Sequence, residues 1–300
     1  MDSLSVEEKN LLFRQACRTG DVDSVRILIE DPEIDHNITH TYHLAPFYLA
    51  CMNGDELIAR ILLENPIIDI NKSDINGDTP LHMSCANGHE SIVRLLLEDP
   101  RINPDKIGFE ERTAFYLACK NGRESIVKLL LEDSRIDPNK LSKGEFTPFH
   151  SVCYNGHASI AKLLLEDSRI NPTILTKYQI SPLLSAVMNN HHSVVEVLLE
   201  DDRTDPNKFD NNGCNPLLCA CRNGYESIVR LLLEDHRTDS TVADIDGNTP
   251  FCLACMYSND SITEHMLEVF GESIIPHKGS YPDVGQSKLL SFYQEKYLNQ

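Results

Sequence analysis

Ten cysteines and twelve histidines are the residues of this 300-residue chain best suited to metal binding, thiol exchange or acid–base work. Seven of the thiols (Cys17, Cys51, Cys85, Cys119, Cys153, Cys221 and Cys255) recur at 34 residues or twice that. Cys214 and Cys252 fall outside the series, and Cys219-Ala220-Cys221 is too tight and too helical for a four-ligand zinc site. His82 and His150 share one slot with Tyr48, Tyr116, Leu184, Leu218 and Cys252, which is poor ground for a general base. His191-His192 opens a helix and is expected to face solvent. No phosphate-binding loop, Gly-x-Ser-x-Gly or His-Glu-x-x-His motif occurs.

What must position these residues is a period. Prolines at 46, 80, 148, 182, 216 and 250 lie on one 34-residue ladder, with Ala114 on the rung that lacks Pro and Leu12 one rung before. Thr79-Pro80-Leu81-His82 recurs as Thr147-Pro148-Phe149-His150, and Ser181-Pro182, Asn215-Pro216 and Thr249-Pro250 continue the series. Thr79 is a good N-cap, and Pro80 suits the first helical position, where its missing N–H costs nothing. The pattern predicts a first helix of about two turns to Asn87, ended by a left-handed Gly88, with Gly20, Gly54, Gly122, Gly156, Asn190 and Gly224 as its equivalents. A second helix, Glu90 to Glu98, is apolar over most of its circumference and must be sandwiched between neighbours. An extended finger then leads to the next Thr-Pro.

These residues resemble the ankyrin-repeat family, whose Thr-Pro-Leu-His-x-Ala signature stands here as Thr79-Pro80-Leu81-His82-Met83-Ser84. The resemblance implies an all-α solenoid of helix–turn–helix units joined by extended hairpin fingers. An array over 1–270 is expected, with repeats near 5–36, 37–70, 71–104, 105–138, 139–172, 173–206, 207–240 and 241–270. Residues 271–300 form a C-terminal loop and a helix whose stripe of Leu289, Phe292, Tyr293 and Tyr297 either caps the array or docks a partner. Ser5 and Glu8 are placed for a capping box at the start. The resemblance also implies that His82 and His150 brace the turn through backbone hydrogen bonds.

Stacked repeats about 9–10 Å apart are too far apart for the periodic thiols, small buried side chains, to form disulfides between repeats. That points to a reducing compartment. With an acidic Met1-Asp2-Ser3-Leu4-Ser5-Val6-Glu7-Glu8 start and no long apolar run, the reading is a cytoplasmic protein, with the nucleus the alternative, and no membrane insertion. A formal charge of −19, from 27 Lys and Arg against 46 Asp and Glu, would repel a phosphate backbone, so nucleic acid is not expected. Much of the acid sits at second-helix exits such as Glu98-Asp99 and Glu132-Asp133, where it serves solubility or a basic partner.

Individuality shows where repeats disagree. Fingers three, seven and eight carry Asp and Gly: Asp74 to Gly77, Asp210 to Gly213, Asp244 to Gly247. Fingers two, four, five and six abandon that pattern. In the family such tips and the exposed positions of the first helices line a concave binding groove. The candidate partner-binding residues are accordingly Tyr42, Phe109, Arg112, Lys120, Phe146, Tyr154, Lys177, Tyr178, Ile180, Met188 and Arg222. Aromatic residues, Arg and Met are the types that anchor interfaces, and the basic members suggest a partner with some acid. The competing reading tucks Phe109 and Phe146 between fingers as packing. The expected function is a protein-interaction scaffold or adaptor, or alternatively a regulatory subunit of a partner enzyme. No catalytic residues, cofactor, metal or small-molecule substrate are expected.

Overall fold

The computed structural model describes residues 4–39 and 41–274, which form two compact units divided at Pro148 and Phe149. The stripe at Leu289, Phe292, Tyr293 and Tyr297 lies outside the described residues. The first unit contains α1 (Val6–Thr19), α2 (Val22–Leu28), α3 (Pro46–Asn53), α4 (Glu56–Leu63), α5 (Pro80–Asn87), α6 (Glu90–Glu98), α7 (Ala114–Lys120) and α8 (Glu124–Leu131). The second unit opens within α9 (Pro148–Asn155) and continues as α10 (Ala158–Glu166), α11 (Pro182–Met188), α12 (His192–Leu199), α13 (Pro216–Asn223), α14 (Glu226–Glu234), α15 (Pro250–Met256) and α16 (Asp260–Phe270).

Each pair is built by the same local chemistry. The hydroxyl of Thr79 accepts from the His82 N–H, and Thr113, Ser181, Asn215 and Thr249 cap α7, α11, α13 and α15 in the same way. Ala45 has no side chain to offer, so α3 starts uncapped. Ser5 and Glu8 close the expected capping box, which starts α1 well before the ladder rung and leaves Leu12 exposed. The first helix ends in a left-handed residue at Gly88 (φ 89°); Asn190 (φ 57°) and Ser258 (φ 58°) hold the same position without Gly.

In the first unit α1, α3, α5 and α7 pack side by side in chain order, as do α2, α4, α6 and α8. In the second, α11, α13 and α15 form one row and α10, α12, α14 and α16 the other. The residue after each ladder position is a fully buried knob: Phe13, Phe47, Leu81 and Phe115 in one unit, Phe149, Leu183, Leu217 and Phe251 in the other. Burying one such side chain contributes roughly 1.5–3 kcal/mol, so the row is a main source of stability. No strand occurs among the described residues. The fingers are closed instead by short backbone bonds, Asp74 N–H to the Asp78 carbonyl (2.9 Å) and Gly77 N–H to the Asp74 carbonyl (3.1 Å), for example.

Candidate protein-binding surface

The histidine slot is structural. In His82, Nδ1 accepts from the Thr79 hydroxyl (2.7 Å) and the Thr79 N–H (3.2 Å), while Nε2 donates to the Arg112 carbonyl of the next finger (3.1 Å). His150 Nε2 donates to the Ile180 carbonyl at 3.1 Å. Burial holds the imidazole of His150 at a pKa of about 4, so it stays neutral and locked in place. Tyr48 fills the same slot and reaches Asp74 through its hydroxyl (3.3 Å).

All ten cysteines are free. The seven periodic ones are buried, and burial pushes the Cys17 thiol up to about 12 and those of Cys51, Cys85 and Cys153 further still. Such thiols are poor nucleophiles. Cys252 and Cys255 on α15 have a Cys-x-x-Cys spacing, and both are buried. Among the described residues no group of three or more His, Cys, Asp and Glu is placed to hold a metal ion.

The finger tips divide in two. Where Asp and Gly are present, Gly77, Gly213 and Gly247 take left-handed φ angles of 94°, 70° and 80°. In the other fingers, which lack Gly at that position, the equivalent residues are His43, Glu111, Glu145 and Gln179, at φ of 59–60°. Tyr42 (φ 65°) and Glu110 (φ 54°) are left-handed as well, one residue earlier. A non-glycine residue held there costs of order 1 kcal/mol or more. Fingers four, five and six close with the same two backbone bonds as the Gly-containing fingers, while Tyr42 and Glu110 add a second left-handed residue in theirs. The strained set therefore carries side chains at a stability cost that its neighbours avoid.

In the first unit Tyr42 (66% exposed) and Phe109 (48%) project from such tips. Phe109 is more exposed than Phe146. Phe146 is half-buried, and its ring lies so close over Gly144 that a Cβ there would sit 2.9 Å from it. Arg112 stacks 5.4 Å over the Tyr116 ring and is ion-paired to Glu110, and Lys120 is half-buried on α7. In the second unit Tyr154 on α9 (53% exposed), Tyr178 (52%) and Met188 on α11 (47%) project, with Lys177 stacked 4.9 Å over the Tyr178 ring and Ile180 half-buried. Arg222 is paired to Asp244 at 3.2 Å. The structure thus offers exposed aromatic and apolar side chains. Two of the cations expected to attract an acidic partner, Arg112 and Arg222, are already neutralised within the chain.

The acidic rim is also corrected. In each Asp-x-Arg at a second-helix exit, the Arg clasps the Asp two residues before it, as in Arg101 with Asp99 and Arg237 with Asp235, both at 2.6 Å. The same guanidinium reaches back to the preceding repeat: Arg101 donates to the Leu63 carbonyl (3.1 Å), Arg135 to Leu97 (3.0 Å), Arg203 to Leu165 (3.0 Å) and Arg237 to Leu199 (2.7 Å). These are carbonyls that a helix C-terminus leaves without partners. Only the Glu of each pair, Glu98 or Glu132 for instance, stays exposed. The signal was present as Asp-x-Arg at the 34-residue period, at 99–101, 133–135, 167–169, 201–203 and 235–237.

A family model of ankyrin repeats (3 copies) matches this chain in overlapping stretches: residues 12–108, 48–142, 99–175, 115–210, 153–244 and 183–276. The chain belongs to the ankyrin-repeat family. No curated protein matches it. Ankyrin repeats are in general protein–protein interaction modules and typically not enzymes. No helix among the described residues is long and apolar enough to cross a membrane.

Proposed function

We propose that this ankyrin-repeat protein is a non-catalytic scaffold or adaptor that captures a protein segment with the finger tips that lack Gly at the left-handed position and the exposed positions of its first helices. The observation that carries this reading is the set of left-handed non-glycine tips from which Tyr42 and Phe109 project and beside which Tyr178 stands. Strain that the fold itself does not need is accounted for by a contact with something outside the chain. Tyr154 and Met188 extend the second unit's surface onto α9 and α11. The segment recognised is apolar or aromatic, with Lys177 available to one acidic group, because Arg112 and Arg222 are already paired. Affinity purification from cells that make the protein, followed by mass spectrometry, identifies the partner. Loss of that partner on truncating Tyr154 and Tyr178 supports the reading, and retention removes it.

A further inference from the structure

Cys214 and Cys219 flank the start of α13 at the two positions where a residue just before the N-cap, here Asn215, meets one in the first turn of the helix. In other repeats the same pair is Leu44 with Leu49, or Ile180 with Ser185. Here both are thiols, and they lie beside one another. Cys214 is half-buried and reachable from solvent; Cys219 is 6% exposed and reachable through Cys214. The Cys214 amide is anchored on the Asp210 carboxylate (2.8 Å), its thiol donates to the Asn215 carbonyl (3.6 Å), and the Asn223 side chain donates to the Cys219 sulfur (3.6 Å).

We infer that Cys214 and Cys219 form a dithiol that a peroxide converts to an intra-repeat disulfide, a modification site at the base of finger seven. Cys214 is the sulfur that solvent reaches, and the neighbouring Cys219 thiol and Arg222 hold it below its ordinary range, so Cys214 is the attacking sulfur. Its thiolate attacks one oxygen of hydrogen peroxide, the O–O bond breaks, and hydroxide leaves to take up the thiol proton as water. The resulting sulfenic acid is attacked by the Cys219 sulfur; the S–S bond forms, the S–O bond breaks, and hydroxide leaves with the Cys219 proton as a second water. Two electrons and two hydrogens pass from the protein to one peroxide. Cys221 is excluded because residues two apart on a helix do not face each other.

The site is independent of the proposed binding role and is tested on the full chain. Protein treated with hydrogen peroxide is denatured, alkylated without reductant and digested with trypsin. Cleavage after Lys208 and Arg222 places Cys214, Cys219 and Cys221 in one peptide. The expected result is a fall from three alkylated cysteines in that peptide to one, Cys221, with three restored by reductant. Cys221→Ser keeps the link, Cys214→Ser abolishes it, and Cys219→Ser leaves a sulfenic acid on Cys214 that dimedone captures. Three alkylated thiols persisting at peroxide levels that oxidise glutathione overturn the inference. So does a link to Cys221, or one that survives Cys214→Ser.

Discussion

Replacing Gln179 by Gly is expected to stabilise the protein. Gln179 sits at φ 60° in finger six with its side chain exposed, and its backbone N–H still donates to the Thr176 carbonyl (2.8 Å) whatever the side chain. The finger-closing bond from Thr176 N–H to the Ile180 carbonyl (3.1 Å) is likewise untouched. The substitution removes the left-handed penalty of roughly 1–2 kcal/mol and gives back part of it as the larger chain entropy of unfolded glycine, about 0.5–1 kcal/mol. A net gain of about 1 kcal/mol remains, or roughly 2 °C in Tm for a chain of this size. Glu145→Gly, at φ 60° in another repeat, adds a similar amount, because separate sites are close to additive. Urea unfolding followed by circular dichroism measures both. An unchanged or lower midpoint for the two single variants and the double variant would show that these tips are not strained, and the argument from strain to partner binding would fall.

His150→Leu is expected to flatten the acid side of the stability profile. With its folded pKa near 4 and an unfolded value near 6.5, His150 leaves stability intact above about pH 6.5. As pH falls towards 4 the unfolded chain takes up a proton that the folded one refuses, at a cost of roughly 3 kcal/mol. The slot holds Leu at 184 and 218, so the variant folds, and denaturation at pH 7 and 4.5 reads the difference. Arg237→Ala removes bonds to the Leu199 and Thr204 carbonyls and is expected to cost about 1–3 kcal/mol. Arg94→Ala, which loses an exposed pair with Glu90, costs about 0.5 kcal/mol or less. Equal losses for the two in urea titrations would deny the guanidinium any capping role.

The helices were legible in the sequence because their determinants are local: Thr79, Pro80 and Gly88 cap, start and stop α5 within ten residues. The bracing by His82 followed from the family resemblance. Contacts that reach from one repeat to the next were harder to see. Nothing in the local sequence shows that Arg237 meets the Leu199 carbonyl, 38 residues earlier. Arg112 and Arg222 looked like partner-binding cations because nothing in the local sequence shows that Glu110 and Asp244 meet them. Phe109 and Phe146 stand five and two residues before their ladder positions, and Phe109 is exposed while Phe146 is half-buried with its ring over Gly144. The strain at the tips was invisible as well: absence of Gly from a finger did not reveal that the chain takes the left-handed turn regardless.

The central claim is tested most directly by comparing partner capture by the wild type and by the Tyr154→Ala, Tyr178→Ala double variant. Both rings are about half exposed, so their removal is expected to change unfolding free energy by no more than about 0.5 kcal/mol. Central aromatic anchors lose roughly 2 kcal/mol or more on truncation, which predicts about a 30-fold or greater rise in Kd for the captured protein. Reversal of rim charge, Glu132→Lys with Glu166→Lys, is expected to change it far less. Undiminished capture by the folded aromatic variant, with loss in the rim variant, would contradict the account and move the binding site to the acidic edge.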